Sequence, residues 1–76
     1  MKNLYAPANF DPSKVEVVRK RFSVTQGETL IAYNGQRIEQ YGDDPAMCAD
    51  GVYRQKPRDY WVAVAMSEAL TRGWLQ

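Results

Sequence analysis

The pair Asn34-Gly35 constrains the fold of this chain more than any other feature. It sits between two runs rich in β-formers, ETLIAY before it and QRIEQY after it. A two-residue type I′ turn needs positive φ at both central positions, and Asn-Gly adopts that conformation readily. Such a hairpin sets Tyr33 opposite Gln36, Ala32 opposite Arg37 and Ile31 opposite Ile38. The last is an apolar cross-strand pair, the unit that stabilises a sheet face. Just upstream, Thr25-Gln26-Gly27-Glu28 supplies a second turn.

Residues 14–24, KVEVVRKRFSV, admit two readings. As a helix they start from Asp11 as N-cap, Pro12 at the first position and a Ser13-x-x-Glu16 capping box, with Val15, Val18 and Phe22 on one face. As a strand they draw on the density of valine and phenylalanine. The turn and hairpin that follow favour the strand, with Val18, Phe22 and Val24 inward and Arg19, Arg21 and Ser23 outward. Lys20 fits the inward row poorly. The result is a three-stranded antiparallel meander.

Residues 58–72, RDYWVAVAMSEALTR, carry a helical period. Asp59 can cap the start. Val62, Ala65, Met66, Ala69 and Leu70 share one face, and Tyr60, Trp61 and Val64 lie away from it. Gly73 stops the helix, and Trp74 folds back on its last turn as in a Schellman motif. Between hairpin and helix, residues 42–57 form a long connection. A short helical turn is expected over Ala46–Ala49, ended by Gly51, with an edge strand from Val52 to Gln55. Residues 1–12, MKNLYAPANFDP, read as an irregular arm, and 13–76 as one small domain. Leu4, Tyr5 and Phe10 can pin that arm to the body. The expected class is α+β, a meander with a C-terminal helix packed on one face.

The alternative is mostly helical. The segment TQGETLIAYNG resembles the first helix and turn of a helix-turn-helix. In that resemblance Ala32 and Gly35 fill the small-residue and turn positions, but with the wrong separation. Gly42 and Pro45 also break the recognition helix it requires.

The residue types present narrow the chemistry. There is no histidine and a single cysteine, Cys48. Histidine is the side chain best suited to proton transfer near neutral pH and a common metal ligand. Cys48 has no histidine to activate it, and it cannot close a disulfide within the chain. Asp43, Asp44 and Asp50 fit no calcium-loop spacing, and Gly27, Gly35, Gly42 and Gly51 stand singly, unlike a phosphate-cradling loop. No catalytic, metal or cofactor site is assigned. A non-enzyme is expected.

Ten Lys and Arg oppose nine Asp and Glu, a balance unlike that of a DNA-coating protein. The opening residues hold no apolar stretch of signal-peptide type, and no run approaches membrane-spanning length. One cysteine suits a reducing compartment. A cytoplasmic protein without a membrane partner is expected.

Two basic runs stand out: Arg19-Lys20-Arg21 followed by Phe22, and Arg54, Lys56 and Arg58 around the start of the helix. Arg37 on the return strand of the hairpin can join them. With Tyr33 or Tyr53 as aromatic anchor, they suit an acidic protein surface, because Arg and Tyr are frequent interface anchors. They also suit a nucleic-acid backbone with base stacking, the second choice. The apolar outer side of the helix leaves a monomer or a weak homodimer.

The short, single-domain, cysteine-poor and near-neutral chain resembles in format small bacteriophage proteins that take over host machinery, above all regulators that bind host RNA polymerase. The resemblance covers the whole chain in size and style and carries no residue correspondences. It implies a regulator in the bacterial cytoplasm that occludes a factor-binding surface and inhibits or redirects transcription.

Overall fold

Asn34 and Gly35 have φ of 51° and 81°, and the chain reverses on them as a type I′ turn requires. The computed structural model describes residues 9–75. A single 3₁₀ turn over Pro12–Lys14, capped by Asp11, leads into β1 (Val15–Arg21). Strands β2 (Gly27–Tyr33) and β3 (Gln36–Gly42) follow. These form an antiparallel sheet of order β1-β2-β3. Strands β4 (Ala46–Met47) and β5 (Tyr53–Arg54) pair as a small second sheet. Helix α1 (Arg58–Thr71) closes the chain and packs on one face of the larger sheet. The fold is α+β, as the sequence predicts, and the helix-turn-helix alternative does not hold, because residues 28–41 form a hairpin.

The register decides which side chains meet the helix. Val15 pairs with Tyr33 and Val17 with Ile31. Odd-numbered residues of β1 therefore share the helix-covered face with Thr29, Ile31 and Tyr33. This corrects the expected inward row. Val18 falls on the open face and is 50% exposed, whereas Phe22 and Val24 lie beyond the strand at 61% and 59%. Arg19 and Arg21 do project together, but on the helix side of the sheet.

The second hairpin departs from regular pairing. Ile31 faces Glu39 rather than Ile38, across a bulge between Ile31 and Ala32. The reason lies in spacing. Ile38 and Tyr41 both belong to the apolar side, and three positions apart they cannot share a face of a regular strand. The extra residue turns both toward α1. Ile38 is buried, and Tyr41 packs on Trp61 with ring centroids 5.4 Å apart.

The core is Val15, Ile31, Tyr33, Ile38, Trp61, Ala65, Ala69 and Leu75. Thus α1 is rotated from the expected face. Trp61 is inward, and Leu70, expected inward, is 45% exposed. A tryptophan offers more apolar area than any other side chain of the helix, and small Ala65 and Ala69 let the backbone approach the sheet. Pro57 is the N-cap and makes no side-chain cap bond; Asp59 lies in the first turn. The end follows expectation: Gly73 has φ of 76°, its N–H donates to Leu70 O, and the Trp74 N–H donates to Ala69 O. That bond pair is a Schellman motif.

Ala46–Ala49 is not the expected helical turn. Ala46 and Met47 pair with Arg54 and Tyr53, and Gly51, at φ of 81°, turns the chain between them. The expected edge strand over Val52–Gln55 is present as β5. Of the proposed arm, Phe10 stacks on Tyr33 with centroids 5.1 Å apart. Leu4 and Tyr5 lie outside the described residues.

Candidate docking surface

Among the described residues two polar side chains are buried, Thr29 and Asp43, and they are bonded to each other. The Thr29 hydroxyl donates to Asp43 Oδ2 at 2.6 Å, and the Lys56 N–H donates to Asp43 Oδ1 at 3.0 Å. Gln55 completes the clasp. Its Nε2 donates to Lys20 O at 2.9 Å and to Asp43 O at 3.1 Å. Asp44 Oδ1 accepts from the Gly27 N–H at 3.1 Å. Gly27 is required here by space rather than by its dihedral angles. A Cβ at this position would lie 2.3 Å from Gln55 Nε2, 2.8 Å from Lys20 O and 2.9 Å from Asp43 O. The clasp fixes residues 55–56 against the β1–β2 end of the sheet, and with them the β4–β5 hairpin.

This anchoring brings Arg54 of the second basic run beside Arg19 and Arg21 of the first. Arg19, Arg21, Tyr53 and Arg54, with Cys48 and Gln55, line an open depression of about 510 Å³. The Arg21 guanidinium donates to Tyr53 O at 3.2 Å and to Ser23 O at 3.3 Å, which ties β1 to β5. Arg54 holds Asp50 with two parallel bonds of 3.0 and 2.7 Å. Those bonds, and the Val52 N–H, keep the Asp50 carboxyl below the usual carboxylate range; Asp50 in turn raises Arg54. The pair is about half exposed, so its worth to stability is small. The Arg19 side chain makes no hydrogen bond or ion pair among the described residues. Its charge is available to a partner.

The other candidate residues are placed differently. Lys20 and Arg37 are on the opposite, open face, where with Val18, Glu28, Leu30 and Gln40 they line a depression of about 180 Å³. Arg37 therefore does not join Arg19 and Arg21, because its partner Ala32 faces away from the helix. Tyr33 is no surface anchor. It is 6% exposed, accepts the Asp11 N–H at 2.9 Å on its hydroxyl and donates to Asn9 O. Lys56 lies over the Tyr60 ring, 5.2 Å from its centroid. Arg58 is structural, its guanidinium donating to Pro12 O and Val15 O at 3.1 Å each.

Gln55 and Asp43 escape the sequence reading. Asp43 reads as turn chemistry and Gln55 as the end of an edge strand, and no spacing marks either as part of a buried clasp. Among the described residues no group of three or more His, Cys, Asp or Glu is placed to hold a metal ion. Among them also, no helix is long and apolar enough to cross a membrane. No family model, curated protein or solved structure matches the chain.

Proposed function

We propose that this chain is a non-enzymatic docking module that presents Arg19, Arg21, Tyr53 and Arg54 to an acidic protein surface. The observation that carries this reading is the convergence of Arg19 and Arg21 with Arg54, distant in sequence, on one open depression beside the Tyr53 ring. A near-neutral chain that concentrates arginines at one place gains orientation and association rate from the local field rather than from net charge. Arginine and tyrosine are also among the residue types most enriched at interface centres. The mechanism is occlusion: a small rigid domain covers a surface that another factor needs. The resemblance in format to phage regulators makes bacterial RNA polymerase the first partner to test, in the host cytoplasm, with inhibited or redirected transcription as the consequence.

The test is capture from a bacterial lysate on the immobilised chain, with and without nuclease. The expected result is a protein retained in both arms and lost when Arg19 and Arg21 are both changed to Glu. Recovery of RNA polymerase subunits would identify the partner. Retention only in the untreated arm assigns the surface to nucleic acid and overturns the reading.

A further inference from the structure

The two free edges of the main sheet are treated differently. On β3 coverage falls in the middle of the strand. The Gln40 N–H donates to its neighbour Glu39 at 3.1 Å, Ile38 O accepts the Arg72 guanidinium at 3.1 Å, and the bulge interrupts the strand. On β1 the covered groups lie at its first residue: the Val15 N–H donates to Pro12 O and Val15 O accepts from Arg58. Folded proteins generally blunt such edges, because an unpaired strand is a template for another.

The phase of the ladder shows which groups β1 offers. Asn34 N–H donates to Lys14 O, and Phe22 N–H donates to Gln26 O. Even-numbered residues of β1 are thus the hydrogen-bonded partners of β2, and the N–H and C=O of Val17 and Arg19 point outward. Among the described residues they have no partner.

We infer that β1 pairs antiparallel with β1 of a second copy, with Val18 on the two-fold axis. In this register Val17 meets Arg19 of the other copy, and Arg19 meets its Val17. Each pair exchanges both main-chain hydrogen bonds, as the outward phase allows. Val18 meets Val18, which covers a valine now 50% exposed. Glu16 meets Lys20 twice, once on each side of the axis, and opposite charges directly across a pair of strands are favourable. Shifting the centre to Arg19 sets like charges face to face, and shifting it to Val17 sets Lys14 against Lys20. The sequence of β1, Val-Glu-Val-Val-Arg-Lys-Arg, is therefore self-complementary in one antiparallel register.

Intramolecular pairing already places Val18 beside Leu30. In the dimer an apolar row runs Leu30, Val18, Val18, Leu30 across the open face, flanked by the Glu16–Lys20 pairs. Both helices lie on the other face, as do both copies of the Arg19–Arg54 depression. The pairing does not require the docking reading, and its test does not use the partner.

The test is sedimentation equilibrium of the full chain from low to high micromolar concentration, with thermal melts to verify folding. The expected species is a reversible dimer. Lys20→Glu sets a second carboxylate against Glu16 and weakens association about tenfold or more, as does Glu16→Lys, which sets two ammonium groups face to face; the double exchange restores it to within about threefold. Arg19→Pro removes an outward N–H that the monomer does not use, and abolishes the dimer. A monomer at every concentration overturns the inference. So does a dimer indifferent to all of these changes, since its interface must then lie elsewhere.

Discussion

Asp43 follows the last residue of β3, with one carboxyl oxygen on Thr29 and the other on the Lys56 N–H. Its position ties both ends of a long connection to the sheet. Each contact replaces water that a buried polar group has lost, and removing one partner costs the remaining one its only substitute. Thr29→Val is isosteric and deletes one donor. We expect a loss on the order of 2 kcal/mol in urea denaturation, the cost of a buried acceptor left unpaired. A change near zero would show that Asp43 does not need Thr29. Gly27→Ala acts on the same clasp from the other side, because the added methyl meets Gln55 Nε2 and the Lys20 and Asp43 carbonyls. None of this is legible in the sequence. Asp43-Asp44-Pro45 has the composition of an ordinary turn, and burial, which alone distinguishes a clasp from a turn, is a property of residues remote in the chain.

The elements are legible where a local signal fixes them. Asn34-Gly35 sets the turn, and the Gly73–Trp74 pair sets the helix end, because each depends on backbone conformation that few residues adopt. Facing is less legible. The parity of β1 depends on which residue meets Tyr33, and the rotation of α1 depends on Trp61 filling the space above Tyr41 and Ile38. Period alone leaves both open. Docking of the helix on the sheet has a pH signature. Burial, with the Glu68 carboxylate nearby, pushes the Tyr41 phenol above its ordinary value, and Arg72 offsets part of that. A raised phenol favours the folded state in its neutral form. That contribution is fully present below the unfolded-state pKa of about 10, and it is lost as pH rises through the higher folded value. Urea midpoints measured from pH 8 upward should therefore fall less steeply for Tyr41→Phe than for the parent above about pH 10. Parallel curves would mean that Tyr41 ionises as freely folded as unfolded.

At the scale of the molecule, one scaffold separates two charged regions. The helix side carries Arg19, Arg21 and Arg54 around Tyr53, and the open side carries Lys20 and Arg37 among Glu28, Leu30 and Val18. The sequence places Arg19 and Arg21 on one face, and the strand alternation bears this out. It groups Arg37 with them, because charge type says nothing of the face a hairpin presents. It offers Tyr33 as an anchor because tyrosine is a frequent interface residue; here Phe10 stacks on it. The joining of Arg54 to Arg19 and Arg21 rests on the β4–β5 hairpin and the Asp43 clasp, which no local pattern announces. The separation of faces offers a controlled comparison. Arg19→Glu and Arg37→Glu make the same change in net charge, and neither guanidinium is hydrogen-bonded among the described residues. Affinity for the captured partner, measured by titration calorimetry, should fall about tenfold or more, about 1.4 kcal/mol, for Arg19→Glu, and stay within about twofold for Arg37→Glu. Equal losses from both, or a loss only from Arg37→Glu, would contradict a docking surface on the helix side.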